Sequence, residues 1–385
     1  MVLPATTLSI CFAIEVAAGL RPLATPVDAM GPAGPFAVIV IPAHNEETSI
    51  GSTVRAIGHE ARGLAELLVV ADNCTDDTAS IVRGSGVRCA ERDEPAERGK
   101  GFALEFAREE LAKNPPDVVL IVDADCRIGR KSIEALIAAT CFAQRPTQAV
   151  YLLVPDRTAA PFVQVSNFAF MLRNLIRQRG LQRLAGQAHL TGTGMAFPWT
   201  LFAAANLGGG SIVEDLDLGL SLTADGHPPM LVEGARVLSP SASVQGTLQQ
   251  RERWEGGFLK SALPSGVQGL VKSLVNLDLR GILVALDLCI PPLALLGLAD
   301  VGTIIFTTLA TACGASPYPL FAAIAATVAA GITIMLAWYS EGRPYVSSAA
   351  LARLPLYIGR KLPMYARLLV RGAPRDWIRT ERDPD

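Results

Sequence analysis

The sequence predicts an α/β protein with a doubly wound, mostly parallel sheet, followed by C-terminal membrane helices. Three observations carry this. Short apolar runs, FAVIVI (36–41), ELLVVA (66–71) and DVVLIVD (117–123), are unbroken rather than alternating, which marks strands covered on both faces. Helical stretches at 48–60 and 101–113 lie between them, and strand–helix–strand alternation builds parallel sheet. From Gly281 to Gly342 there is no Lys or Arg, and Pro291–Cys313 and Pro319–Tyr339 are each long enough to cross roughly 30 Å of hydrocarbon.

In chain order, Leu3–Leu20 is nearly continuously apolar but interrupted by Glu15. Residues 1–22 are expected to form a membrane anchor helix; the absence of a basic segment before it weakens a signal-peptide reading. A Pro/Gly-rich linker follows at 23–35, and then an α/β domain at 36–260. Residues 261–290 are expected to lie in the membrane interface, because Asp287 argues against deep insertion. A transmembrane hairpin at 291–340 turns through GASPY. The tail, 341–385, is basic, with Arg343, Arg353, Arg360, Lys361, Arg367, Arg371, Arg375 and Arg379. The positive-inside rule places it, and the α/β domain on the same side, at the cytoplasmic face of the inner (plasma) membrane. Its mixture of aromatic, aliphatic and basic residues suits a helix lying on anionic lipid, so membrane lipids are expected partners.

Composition narrows the classes. A chain of 385 residues with 50% hydrophobic and 18% charged residues is too apolar for an ordinary soluble enzyme. A net charge of −2 gives no electrostatic reason to expect nucleic acid. Seven cysteines show no C-x-x-C, and four scattered histidines make no zinc site, so reduced thiols are expected.

Polar residues follow each predicted strand, where ligands bind in such sheets. Asp123 and Asp125 close the third strand two positions apart, a spacing that directs both carboxylates to one side of an extended chain. Their mutual repulsion calls for a cation or sugar hydroxyls, and oxygen ligands suit Mg²⁺ or Mn²⁺. Asp72 ends the second strand, where it could accept from a base or ribose, while Asp76 or Asp77 suits a helix N-cap. Lys100, between two glycines at a helix start, favours phosphate. HLTGTGMAFPW (189–199) holds Gly192, Thr193 and Gly194, glycines that permit close backbone approach to a ligand; it lacks the third glycine of a dinucleotide fingerprint. In IVEDLDLGLSL (212–222), Glu214, Asp215 and Asp217 could hold a metal, abstract a proton or cap a helix. Further on, in QQRERWEGG, Arg253 could clamp a phosphate and Trp254 could stack on a sugar.

The order PAHNEE, ADNCTDDT, GKG, DAD, TGTG, VED and QRERW resembles the family 2 glycosyltransferases. The resemblance is strongest to the membrane-bound branch with a Q-x-x-R-W signature, which includes cellulose, chitin and hyaluronan synthases and ceramide glucosyltransferases. It covers roughly 36–257, and a W-x-R-T tail (377–380) is similar to one in several bacterial members. It implies a GT-A type domain in which Pro42 to Glu46 and Asp72 hold the uracil and ribose of a UDP-sugar. Lys100 and Asp123 would lie against the nucleotide, Asp125 would ligate the divalent metal with Asp123, and Gly192, Thr193 and Gly194 would line the sugar and acceptor pocket. Asp215 would be the general base, with Glu214 beside the acceptor and Asp217 facing elsewhere. Gln250, Arg253 and Trp254 would bind the acceptor and steady the leaving diphosphate. Two departures are noted: Asn73 follows Asp72 where a second Asp is common, and Glu255-Gly256-Gly257 follows the tryptophan. The implied reaction is an inverting transfer of a hexose, UDP-glucose-like, to a lipid-linked or polysaccharide acceptor. Alternatives are ceramide glucosyltransferase-like glycolipid synthesis, a processive polysaccharide synthase, a nucleotidyltransferase and, from another class, a transporter with a nucleotide-sensing domain.

Overall fold

The structure, a computed structural model, describes residues 2–24, 34–208 and 214–371. The W-x-R-T tail, Val213 of the VED motif and most of the predicted linker lie outside the described residues. The chain divides into two compact units: an α/β unit (Leu23–Val154 and Gln187–Pro240) and a helical unit (Met1–Pro22, Pro155–Gly186 and Ser241–Asp385). Elements are numbered in chain order.

The α/β unit is organised on an eight-stranded sheet: β1 (Ala37–Ala43), β2 (Glu66–Asp72), β3 (Arg88–Arg92), β4 (Val118–Ile121), β5 (Arg127–Ile128), β6 (Thr147–Leu153), β7 (Met195–Pro198) and β8 (Met230–Ser239), in the spatial order 3-2-1-4-7-6-8-5. The three predicted strands are β1, β2 and β4; with β3 they pair in parallel. Beyond β4 the sheet departs from the mostly parallel expectation in part: β6 and β8 still pair in parallel, but an antiparallel strand lies on either side of them. β7 runs antiparallel to both β4 and β6, and β5 antiparallel to β8, so the sheet is mixed. MAFP is only four residues long and follows the TGTG loop; the helices between it and β6, at 161–185, belong to the helical unit rather than forming a crossover of the α/β unit.

Helices α2 (Ile50–Glu60), α3 (Thr78–Gly84), α4 (Lys100–Ala112), α5 (Arg130–Ala143), α8 (Trp199–Ala204) and α9 (Glu214–Ala224) complete the unit. α4 turns Ala103, Leu104, Ala107 and Leu111 onto Val38, Val40, Val119 and Ile121 of the sheet, one dry core that also takes Leu218 and Leu222 of α9. Burial of each such aliphatic side chain is worth about 1.5–3 kcal/mol.

The helical unit contains α1 (Val2–Gly19), α6 (Pro161–Met171), α7 (Gln178–Ala185) and α10 (Val244–Gly257). Six more follow: α11 (Leu263–Val275), α12 (Leu279–Cys289), α13 (Leu293–Ala312), α14 (Tyr318–Ala337), α15 (Ser348–Leu351) and α16 (Leu354–Arg371). A π-helical turn at Leu172–Arg177 joins α6 to α7. Among the described residues two helices are long and apolar enough to cross a membrane, Leu293–Ala312 and Tyr318–Gly342, at the places the sequence marks. Their exposed side chains form stripes at helical spacing, Val301, Ile305 and Leu309 on one, Phe321, Val328, Ile332, Met335 and Tyr339 on the other. α1 is apolar but shorter, about 27 Å at 1.5 Å per residue.

The acidic residues that interrupt these apolar helices are matched. Glu15 of α1 accepts from Arg177 Nε at 2.7 Å, and the same guanidinium pairs with Asp287 of α12. Asp300 of α13 accepts from Ser9 Oγ at 2.7 Å. Asp287 is 9% exposed as a side chain and tied to a neighbouring helix, while α11 presents Val267, Val271, Leu274 and Val275 outward. One basic residue of the tail departs from expectation: Lys361 is buried, on the inner side of α16.

Candidate active site

The site is built at the carboxyl ends of β1, β2 and β4, where three loops and two helix starts gather. β4 ends at Ile121, and Cys126 N–H bonds the Asp123 carbonyl at 3.0 Å. Asp123 and Asp125 are therefore brought together by a turn, not by the alternation of an extended strand. The result is the expected one: carboxylate oxygens of both, with the Cys126 sulfur, lie within 4.8 Å of one another. Cys126 Sγ donates to Asp125 Oδ1 at 3.2 Å. Burial, and then the charge of Asp123, push this thiol up to about 12. It stays protonated, so the donors on offer are hard carboxylate oxygens, a set that fits Mg²⁺ or Mn²⁺.

Lys100 opens α4. Its ammonium pairs with Asp123 and donates to the Gly192 carbonyl at 2.6 Å. Burial works against that charge, but Asp123, and behind it Glu214 and Asp215, more than offset it and hold the lysine above its ordinary range.

The TGTG loop is held from both sides. Gly194 N–H bonds the Ile121 carbonyl at 2.8 Å, and Ala149 N–H bonds the Gly194 carbonyl at 2.7 Å. The Thr193 hydroxyl accepts from Asp123 N–H at 3.1 Å. Gln148, buried in β6, donates to the Thr193 carbonyl and accepts from Thr191 N–H, at 2.8 and 2.9 Å. Sequence reasoning missed it, because one glutamine within a strand carries no local sign of the loop it braces. Gly192 and Gly194 have φ of 87° and 68°. A Cβ on Gly192 would be in ordinary contact with Asp215 Oδ2, at 3.4 Å, so it is the left-handed φ, not lack of space, that favours glycine beside that carboxylate. A Cβ on Gly194 would lie 2.7 Å from Val237 Cγ2 and 2.9 Å from Ala149 Cβ. Gly194→Ala is expected to destabilise the protein by about 1–3 kcal/mol, read as a lowered urea midpoint of the full chain in detergent; an unchanged midpoint would show that the loop is not so confined.

Glu214, Asp215 and Asp217 form the first turn of α9, the end of a helix that favours negative charge. All three, with Lys100, Asn206 and Ser221, line a cavity of about 240 Å³. Asp217 was expected to face elsewhere; it lines the cavity as well, three positions on from Glu214. The size falls just below the roughly 300–1,000 Å³ usual for small-molecule sites. Burial first, then the neighbouring Asp215, raise Glu214 to about 7.

The nucleotide-side residues are also placed. Pro42 lies in β1 opposite Val70 of β2. Glu46 accepts from Ser49 Oγ at 2.7 Å, and Thr78 Oγ1 accepts from Glu46 N–H at 2.7 Å, which anchors the loop after β1. Asp72 is buried and accepts from Arg92 Nη1 at 2.9 Å, an arginine on β3 that the sequence did not single out. Asn73, the departure from the family pattern, adopts φ 50° and donates to Asp72 at 3.1 Å. Asp77 holds the N-cap position of α3 without a side-chain hydrogen bond, and Asp76 beside it accepts from Thr78 N–H at 3.0 Å.

Gln250, Arg253 and Trp254 belong to the helical unit, on α10. There the Trp254 ring stacks on Phe170 at 5.2 Å, with the Arg251 guanidinium 5.1 Å from its centre. Arg251 in turn donates to the Ser166 hydroxyl and carbonyl, at 2.7 and 2.9 Å. The tryptophan expected to stack on a sugar thus packs on Phe170 within its own unit.

A parallel half-sheet with a carboxylate pair past β4, a lysine at a helix start and an acidic helix turn facing the same lysine defines a GT-A-like glycosyltransferase. The chain matches the family model described as glycosyltransferase like family 2 over residues 33–257, more than half its length, and belongs to that family. It is 36% identical over 99 residues to glucosyl-3-phosphoglycerate synthase of Mycobacterium tuberculosis (strain H37Rv), a stretch covering 24% of this chain and 30% of that protein. The homologue from Mycolicibacterium paratuberculosis is equally similar, with 29% of it covered. The chain therefore spans less than a third of the length of the curated relatives it matches. Among solved structures, it is similar to a mannosyltransferase, PcManGT, from Pyrobaculum calidifontis in complex with GDP-Man and Mn²⁺, at 17% identity, 95% coverage of each chain and a TM-score of 0.49. It is also similar to the M. tuberculosis synthase in complex with Mn²⁺, UDP and glucosyl-3-phosphoglycerate, at 21% identity, 60% and 88% coverage and a TM-score of 0.38.

Proposed function

We propose that this glycosyltransferase moves a hexose from a UDP-sugar, with inversion, to a hydroxyl of a lipid-linked or polysaccharide acceptor. It works at the inner membrane, with the α/β unit in the cytoplasm. The observation that carries the reading is the convergence on Gly192. Its carbonyl accepts from Lys100, which also pairs with Asp123, and its Cα hydrogens look onto the Asp215 carboxylate. A leaving-group lysine and a base thus share one small volume.

Asp123 and Asp125 would hold Mg²⁺ or Mn²⁺, which when bound supplies positive charge for the donor's diphosphate. Lys100 holds the phosphate side and stabilises the charge that develops as the sugar bond breaks. Asp215 takes the proton of the attacking hydroxyl, and a single base acting opposite the leaving group gives inversion. Gln250, Arg253 and Trp254 are assigned to the acceptor by their family motif.

The membrane assignment is supported by the two long apolar helices and their outward apolar stripes; lipid tails are the occupant such stripes suit. A small anionic acceptor, as in the name of the curated relatives, is disfavoured by the cavity. Three carboxylates line it, so a phosphorylated acid would meet like charge. The test uses the detergent-solubilised full chain with radiolabelled UDP-glucose, Mn²⁺ and either a bacterial lipid extract or 3-phosphoglycerate. Label is expected in lipid, with UDP release that EDTA abolishes and Mn²⁺ restores. Label in glycerate alone, or release indifferent to EDTA, would overturn the acceptor or the metal assignment respectively.

A further inference from the structure

Glu255 follows Trp254 in the Q-x-x-R-W segment, one of the two departures from the family pattern, and it is buried at 7% exposure. Both of its carboxylate oxygens are taken by one element, α16. Lys361 Nζ pairs with Oε1 and Tyr365 Oη donates to Oε2 at 2.7 Å. Lys361 is 2% and Tyr365 6% exposed, and the Lys361 ammonium also lies 4.9 Å from the Tyr357 ring centre. One turn earlier on α10, Glu252 accepts from Arg367 Nε and Nη2 at 3.2 and 3.1 Å. Glu252 and Glu255, three apart on α10, therefore meet Lys361, Tyr365 and Arg367 on α16.

A buried ion pair adds little stability over an apolar packing of the same volume, and what it can add is a fixed register. Here the register is that of α10. A second grip acts from α6, where Ser166 receives Arg251 and Phe170 receives Trp254. With two helices holding two faces, the rotation of α10 about its axis is set, and with it the directions of Gln250, Arg253 and Trp254. We propose that Glu255 is a positioning residue for the acceptor motif: the α16 clamp on its carboxylate, not contact with substrate, orients the Q-x-x-R-W side chains. This rests on the acceptor role assigned to that motif above.

The test compares the full chain in detergent with its Glu255→Gln variant, using radiolabelled UDP-glucose, Mn²⁺ and the lipid extract, together with hydrogen exchange across 246–257. The expected result is a loss of about 10²-fold in kcat/KM for the lipid acceptor. The slow release of UDP without acceptor, in which Arg253 also takes part, should fall far less than transfer does, while exchange in α10 rises. A merely structural role would lower transfer and UDP release together, in proportion to folded protein. The swap Glu255→Lys with Lys361→Glu, in which Tyr365 can accept from the new ammonium, is expected to recover at least part of the transfer. If Glu255→Gln does not fold, Arg367→Gln at the exposed Glu252 contact replaces it, with a raised acceptor KM as the expected result. Wild-type transfer in the variant that folds, or unchanged exchange in α10, overturns the proposal. If the wild-type chain transfers to no lipid, the acceptor reading fails, and the exchange measurement still decides the clamp.

Discussion

Asp215→Asn is expected to abolish sugar transfer while leaving donor binding intact. The amide matches the carboxylate in shape, so the approach of Gly192 to this side chain survives, and Lys100 keeps its pair with Asp123. What is lost is the proton acceptor. General base action is worth 10²–10⁴-fold, so transfer is expected to fall by about that factor, with the Kd for UDP-glucose within about twofold of wild type. Glu214 cannot stand in as an equal base. Its carboxyl is raised to about 7, by burial first and by Asp215 second, so near neutral pH it is only partly ionised. Removing the charge of Asp215 removes one cause of that shift, and Glu214 in the variant should ionise at lower pH. Any residual transfer is then expected to follow the titration of Glu214 and to vanish in the Glu214→Gln double variant. Titration calorimetry with UDP-glucose and a radiolabel transfer assay check both halves. Full transfer by Asp215→Asn would remove the base from the mechanism and leave the acidic turn of α9 as a binding element.

How much of this was legible in the sequence depends on how far apart the partners lie. β1, β2 and β4 are readable because a strand buried on both faces is apolar without interruption, and the groups that follow them are local to each strand end. Asp123, Asp125 and Lys100 could be picked out for the same reason, and the two long apolar helices by length and lack of charge. The pairings that make a site of these groups are not local. Arg92 reaches Asp72 from a different strand, 20 residues on. Gln148 braces a loop 43 and 45 residues away. The antiparallel insertion of β7 was hidden because MAFP is too short to declare a direction. For Asp217 the error was one of helical phase: two positions beyond Asp215 turns the side chain by about 200° on an ideal helix, yet the cavity is wide enough at the α9 start to take it in. Family resemblance supplied roles for single residues; it could not supply which neighbour holds each one.

The largest such gap lies in the helical unit, and it yields the largest expected loss of stability. Read singly, Glu15 and Asp287 look like flaws in apolar helices, the first interrupting α1 and the second limiting how deep α12 could sit. Arg177 answers both, across 162 residues to Glu15 and 110 to Asp287. All three side chains are nearly shut from solvent, at 12% for the arginine, 6% for Glu15 and 9% for Asp287. The helices cannot move apart cheaply to admit water, because their backbones touch through glycines: a Cβ on Gly19 would strike the Ile176 carbonyl, and one on Gly180 the Glu15 carbonyl. Arg177→Met keeps much of the aliphatic bulk and removes the charge, leaving two buried carboxylates to face each other. Breaking a buried pair by removing one partner costs about 3–5 kcal/mol, so the solubilised full chain is expected to lose roughly 10 °C in Tm. Neutralising the orphans should reverse this: Arg177→Met with Glu15→Gln and Asp287→Asn is expected to recover most of the loss, since the amides can hydrogen-bond each other without charge. Arg177→Met melting with the wild type would mean that the acids are hydrated in the folded protein. Failure of the triple variant to recover would mean instead that the guanidinium acts by filling space against Phe12, 5.9 Å from that ring centre, and not by its charge.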